Sequence, residues 1–121
     1  MNFNIAKCKT MRLSRKRNPG VTSYTMSDSP LAETKSFTYL GITIQQNLGW
    51  ENQVDHAVSK ATRILNFIKR NFHMCSKTVK ERLYVTLVKP HLQYGTAAWN
   101  PHKANQITSL EMVQRRAARF V

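Results

Sequence analysis

Phe37-Thr38-Tyr39-Leu40-Gly41-Ile42-Thr43-Ile44 reads as β structure. Phe37, Tyr39, Ile42 and Ile44 carry the aromatic or β-branched bulk that suits a pleated, half-buried surface. Gly41 removes the side chain at the one place where another backbone can come close. The run hands over to a second half with helical periodicity and a strongly basic composition. Strands first and basic helices after make the fold class α+β: a small antiparallel sheet or set of hairpins over about residues 8–46, then a bundle of three helices. The pattern suits a hairpin arm held against a ligand.

Working back from this run, residues 8–14 alternate in polarity, with Cys8, Met11 and Leu13 as inward candidates and Lys9 and Arg12 outward, so a strand is expected there. Arg15-Lys16-Arg17-Asn18-Pro19-Gly20 sets three cations on a turn signal, a charged hairpin tip or loop. Residues 21–26 alternate again and read as the partner strand, closed by Asp28-Ser29-Pro30. Residues 31–35 read as a connection or short edge strand, and residues 37–45 as the strand that contains Tyr39-Leu40-Gly41.

Working forward, the period changes at Glu51. Val54, Ala57, Val58, Ala61, Ile64, Leu65 and Ile68 follow helical spacing through to about Phe72, with Lys60, Arg63, Lys69 and Arg70 on the other faces. Trp50 is placed to pack on the first turns in the manner of a hydrophobic staple. Ser76 suits the N-cap of a second helix with an apolar stripe of Val79, Leu83, Leu87 and Val88. Pro90 predicts a kink or break, with residues 91–99 resuming the helix. Pro101 predicts the start of a third helix, whose stripe is Ile107, Leu110, Val113, Ala117 and Phe120. Arg115, Arg116 and Arg119 fall largely off that stripe. The two segments, residues 1–46 and 47–121, are the expected domains, and the helix running to Val121 reads as truncated.

Nineteen Lys and Arg against six Asp and Glu give a formal net charge of +13 over 121 residues. That balance favours a polyanionic partner and opposes self-association. A chain of this size buries only about two-thirds of its unfolded surface, so modest independent stability is expected. Cys8 and Cys75 lie far apart, and nothing resembles a secretory signal or an apolar run long enough for a bilayer. A reducing, intracellular setting (nucleus or cytoplasm), without secretion, is therefore expected. The four histidines and two cysteines make no zinc spacing, and no metal site is expected.

Three short motifs in order carry a resemblance: Asn4-Ile5-Ala6-Lys7-Cys8-Lys9-Thr10-Met11, then Tyr39-Leu40-Gly41, then Gln114-Arg115-Arg116-Ala117-Ala118-Arg119-Phe120. Together they resemble the reverse transcriptases of non-LTR (LINE-type, jockey-like) retrotransposons, over nearly the whole chain. The resemblance implies the part after the catalytic carboxylates: the end of the palm, the primer-grip hairpin and the thumb. The family's aromatic-Ala-Asp-Asp turn is nowhere in the sequence. Met1 precedes Asn2-Phe3-Asn4, which reads as the middle of a family motif rather than a natural beginning. The implied parent activity is RNA-directed DNA synthesis, with Mg²⁺ as the cofactor of the intact enzyme and none in this chain. The implied partners are an RNA/DNA primer–template and the remainder of the polypeptide, with no membrane.

Polymerase chemistry needs paired carboxylates holding two divalent metals roughly 3.5–4 Å apart. Asp28 in a turn and Asp55 on a helix, with the whole grip segment between them, read instead as solvated carboxylates. No Gly-rich phosphate loop or nucleophile dyad appears, so the chain alone is expected to be inactive. By resemblance Lys7 takes the role of an accessory general acid near the departing pyrophosphate, with Lys9 second; beside it stands the reading of a surface lysine next to a strand. Tyr39, Leu40 and Gly41 lay a backbone along the primer end, or form a buried strand with Leu40 and Ile42 facing the core. Lys60, Arg63, Lys69, Arg70, Lys77, Lys80, Arg82, Arg115, Arg116 and Arg119 are candidates for phosphate contacts, or solvated charges. Tyr84, Tyr94 and Trp99 read as core aromatics before stacking platforms. Two other classes stay open: a stand-alone basic helical module for nucleic acid or protein, and an element remnant without selected function.

Overall fold

The computed structural model describes residues 3–18 and 20–121. The readings that rest on Met1, Asn2 and Pro19 lie outside these residues. The fold is α+β, and the chain divides into two compact units, Met1–Gly49 and Trp50–Val121.

The first unit is made of short strand pairs. A 3-10 turn, Ile5–Lys7, leads into β1 (Lys9–Thr10). The strand expected over residues 8–14 shrinks to these two residues, and Leu13 is exposed rather than inward. Its partner is also different. β1 pairs in parallel with β4 (Ala32–Glu33), Lys9 opposite Ala32, and a further bond from the Thr34 amide to the Thr10 carbonyl extends the pairing. The segment expected as its hairpin partner contributes only β2 (Thr25–Met26), which pairs antiparallel with β3 (Ser29–Pro30). Ser27 and Asp28 between them both have positive φ, the requirement of the tight turn whose twist matches that of the strands. That local turn captures Thr25 and Met26, and Val21 is left 98% exposed.

β5 (Ser36–Tyr39) and β6 (Ile42–Gln45) correct the reading of residues 37–45 as one strand. They form an antiparallel hairpin that reverses at Leu40 and Gly41, with φ of 48° and 78°. Glycine suits the left-handed backbone there, which a side chain would strain. The register sets Phe37 opposite Ile44 and Tyr39 opposite Ile42, giving the hairpin one apolar face. The other face carries Thr38 and Thr43, whose hydroxyls lie 3.1 Å apart. Leu40, read as a core residue, is 73% exposed at the turn. None of the described residues in this unit is buried.

The second unit is built on α1 (Glu51–Asn71). Its buried stripe is Gln53, Val54, Ala57, Ala61, Leu65 and Ile68, three and four residues apart as one helix face demands. Trp50 is the N-cap residue itself, its carbonyl accepting the Val54 amide at 2.9 Å, so it does not occupy the staple position one residue earlier. Next come α2 (Lys77–Leu83), a π-helical turn (Tyr84–Val88) and α3 (Lys89–Gln93), which together make one interrupted helix. Pro90 lies in the first turn of α3. Its ring would strike the carbonyl four residues back in a regular helix, and the wider π turn just before it relieves that clash. The helix ends at Gln93 instead of running on to Trp99. Gly95, at φ 69°, turns the chain, and Trp99, only 2% exposed, is anchored by its indole N–H on the Tyr94 carbonyl at 2.8 Å.

α4 (Ala104–Phe120) starts three residues beyond Pro101. Val113 and Ala117 are buried in it, but Gln106 is buried where Ile107 was expected, and Ile107 is exposed. In the second helix, Val79 and Leu87 are likewise exposed, while Leu83 packs on the core and Val88 is fully buried. The core joins Ala61, Leu65 and Ile68 of α1 to Val88, Leu92, Val113 and Ala117. Burying such aliphatic side chains stabilises by about 1.5–3 kcal/mol for each of the larger ones, and among the described residues every buried apolar side chain lies in this second unit. Among the described residues, no helix is long and apolar enough to cross a membrane.

Candidate nucleic-acid interface

Twelve of the nineteen cations, but only four of the six acids, fall in Trp50–Val121. Two of those acids are occupied. Glu51 pairs with Lys103, and Glu111 accepts from Arg115 at 2.9 Å one turn along α4. The Glu51 carboxyl is held below its ordinary range, first by the hydrogen bond from Lys103 and then by the backbone amide at the helix start. The remaining cations are therefore largely uncompensated, and core packing decides where they stand.

Phe120 is the organising residue. It ends α4, is half-buried against the core, and leaves a ring face that two ammonium groups approach: Lys80 of α2 at 4.9 Å from the centroid and Lys69 of α1 at 6.0 Å. The negative ring faces attract both cations, and so hold two like charges within 6.0 Å of one ring centre. Helix continuity adds neighbours. Arg70 follows Lys69, Lys77 lies one turn before Lys80, and Arg116 and Arg119 lie within one turn of Phe120. All four are exposed. This end of the bundle gathers cations from three helix segments, with the aromatic ring beneath them. The sequence pattern assigned Phe120 to the core alone, and no local signal marked its ring as the point of convergence.

Other candidates are placed elsewhere. Lys60 and Arg63 are exposed on α1, and Arg63 shares the outer face with Arg70, seven residues and two helical turns on. Arg82 is exposed near the end of α2, and Arg115 is engaged by Glu111. Lys7 ends the 3-10 turn and is exposed, as is Lys9 in β1. Tyr39 is half-exposed on the apolar face of the hairpin, and Leu40 and Gly41 form its tip. Burial raises the Tyr84 phenol above its ordinary range, whereas Tyr94 is exposed. Asp28 stands in the turn between β2 and β3, and Asp55 is exposed on α1. Among the described residues, no three His, Cys, Asp or Glu side chains are grouped so as to hold a metal ion.

No protein-family profile matches the chain, and neither a curated protein nor a solved structure matches it.

Proposed function

We propose that this chain grips the sugar-phosphate backbone of a primer–template, as the segment downstream of the catalytic carboxylates in a reverse transcriptase of the non-LTR retrotransposon kind. The observation that carries the reading is the convergence of Lys69 and Lys80 on Phe120, on helices that also carry the exposed Arg70, Lys77, Arg116 and Arg119. Cations that outnumber the nearby carboxylates, of which Glu81 of α2 is one, are suited to displacing counterions from a polyphosphate. They supply no base-edge geometry, so recognition is of shape and backbone. The hairpin tip at Tyr39, Leu40 and Gly41 and the ammonium of Lys7 belong to the same proposal through the sequence resemblance. The chain alone is inactive in this reading, because it contributes grip and no metal-binding carboxylate pair.

The test is the affinity of the purified chain for a labelled RNA–DNA primer–template at several salt concentrations. The comparison is a variant with Arg63, Lys69, Arg70, Arg115, Arg116 and Arg119 changed to Gln. Wild-type affinity falls steeply with salt, with a log–log slope of about −0.7 to −0.9 for each phosphate neutralised, and the variant shows a shallower slope and much weaker binding. Equal binding by the two proteins, or none by the wild type at moderate salt while its helices are folded, overturns the reading.

A further inference from the structure

The three segments that meet at Gln46 form an open, solvent-facing cavity of about 310 Å³ lined by Ser14, Lys16, Arg17, Lys35, Gln45, Gln46 and Asn47. The Gln46 amide donates to the Lys35 carbonyl at 2.8 Å, and its own carbonyl accepts the Ser14 amide at 3.0 Å. Gln46 thus ties the loop after β1 and the start of β5 to the end of β6, and backbone pairing positions the lining. Three of the lining side chains are cations, the rest are neutral and polar, and none is a carboxylate. Among the described residues, Lys16, Arg17 and Lys35 have no ion-pair partner. The nearest acid in the lining pattern is Glu33, which borders an adjacent cavity with Arg12 and Lys35.

The neutral groups are also poised to donate. Ser14 Oγ accepts the Lys16 amide at 3.0 Å, which leaves its hydroxyl hydrogen for a ligand. Asn47 Oδ1 accepts the Gly49 amide at 2.9 Å, which leaves its NH₂ group. A concave surface offering three cations and several spare donors is complementary to an oxyanion of more than one charge. A phosphate monoester, at close to two negative charges near neutral pH with three acceptor oxygens, meets that description better than a singly charged diester. The volume lies at the lower end for small-molecule sites and leaves room for an organic group attached to the phosphate.

We propose that this pocket is a binding site for a phosphate monoester, with Lys16, Arg17 and Lys35 as charge partners and Ser14 and Asn47 as neutral donors. The site is built from residues of the first unit alone and does not depend on the Phe120 cations of the second unit binding a duplex. Its ligand chemistry is shared by free inorganic phosphate, a nucleoside monophosphate and the phosphorylated end of a strand.

The test is amide chemical-shift mapping on the full chain, titrated at constant ionic strength with inorganic phosphate, a nucleoside 5′-monophosphate, and short single strands with or without a 5′-phosphate. The expected result is saturable shifts at Ser14, Lys16, Gln46 and Asn47, absent with chloride, and weakened at least tenfold in K35Q and in the K16Q/R17Q double variant. All three side chains are exposed, so these variants keep the fold, and the wild-type titration is decisive without them. A strand bound more tightly with its 5′-phosphate than without supports the site and identifies a strand end. Equal strand affinities together with nucleotide binding support it with a free nucleotide as source. Shifts that do not saturate, that chloride reproduces, or that persist unchanged in both variants overturn it. The six-residue bundle variant must retain the pocket shifts, which separates failure of this site from failure of the duplex-binding reading.

Discussion

Lys80 holds its ammonium 4.9 Å from the centre of the Phe120 ring, joining α2 to the last residue of α4. The contact stabilises the bundle and fixes a charge at its surface. Phe120→Leu keeps apolar bulk against the core but removes the ring face. It should cost about 0.5–1 kcal/mol through the lost cation–π contact, plus a smaller packing term. In a urea-melt double-mutant cycle, Lys80→Ala should add little in the F120L background. Independent, additive losses would show that the ring and the ammonium are merely adjacent.

Leu40 has φ 48° and is 73% exposed, an uncommon combination for a leucine at a hairpin turn. Asparagine accepts this conformation far more readily, and Asn-Gly is the favoured pair for such a turn. L40N should therefore stabilise the hairpin by about 0.5–1 kcal/mol. If Leu40 meets the primer, affinity for primer–template should fall although the hairpin is firmer. Amide exchange across β5 and β6, measured beside binding, checks both halves; a firmer hairpin with unchanged affinity would remove Leu40 from the interface.

Gln106 is buried at the start of α4, and neither Oε1 nor Nε2 has a hydrogen-bond partner among the described residues. Such groups carry a desolvation cost of about 1–3 kcal/mol. Gln106→Met, close in shape and without the amide, should raise the urea midpoint by a corresponding amount. A destabilised Q106M would mean that the amide is satisfied in solution.

These cases separate what the sequence discloses from what it does not. α1 is legible almost to the residue, because its long 3.6-residue pattern is also its buried face. The β5–β6 turn is not legible from the local pattern, since leucine at positive φ gives no turn signal and one strand and two look alike until the register is known, although the resemblance implied a hairpin containing Tyr39-Leu40-Gly41. The parallel β1–β4 pairing involves two residues on each side, too few for a pattern. At α4 the inward face keeps Leu110, Val113 and Ala117, and the position four residues before Leu110 on that face is Gln106, a polar residue that a search for apolar spacing passes over in favour of Ile107. The cation list was readable from helix faces, but the convergence on Phe120 and the cavity around Gln46 arise from long-range packing. Arg15-Lys16-Arg17 read only as a charged loop, although two of its members line that cavity.

The Glu51–Lys103 pair joins the start of α1 to the N-cap of α4, and it makes stability depend on pH. The Glu51 pKa is lowered on folding, so the folded state binds its proton less readily than the unfolded state does. Its stabilisation is present above the ordinary carboxylate range and is lost as pH falls through that range to the lower folded value. The side chain is about one-third exposed, so screening limits the effect to roughly 0.2–1 kcal/mol. Glu51→Gln should flatten this part of the acid limb in urea melts at low salt, and Lys103→Gln should bring the carboxyl back toward its usual range. An unchanged acid limb in E51Q would place the pH dependence on other groups.

Burial divides unevenly between the units, and local stability should follow it. The described residues before Trp50 include no buried side chain, whereas α1 buries Ala61, Leu65 and Ile68 against two other helical segments. Opening free energy rises with buried apolar contact, so amides in the middle of α1 should exchange only on global unfolding of their unit. Those of the two-residue pairings β1–β4 and β2–β3 should exchange by local fraying, and those of β5–β6 should lie between. The apolar face formed by Phe37, Tyr39, Ile42 and Ile44 sharpens the expectation, because a surface of that kind gains stability only when something covers it. Hydrogen exchange followed residue by residue should therefore show residues 51–71 protected well above residues 8–46. Adding primer–template should raise protection in the helical unit and, if the hairpin tip contacts the primer, at Tyr39, Leu40 and Gly41 as well. Equal protection in the two halves of the free chain would mean that the N-terminal unit has a source of stability other than side-chain burial.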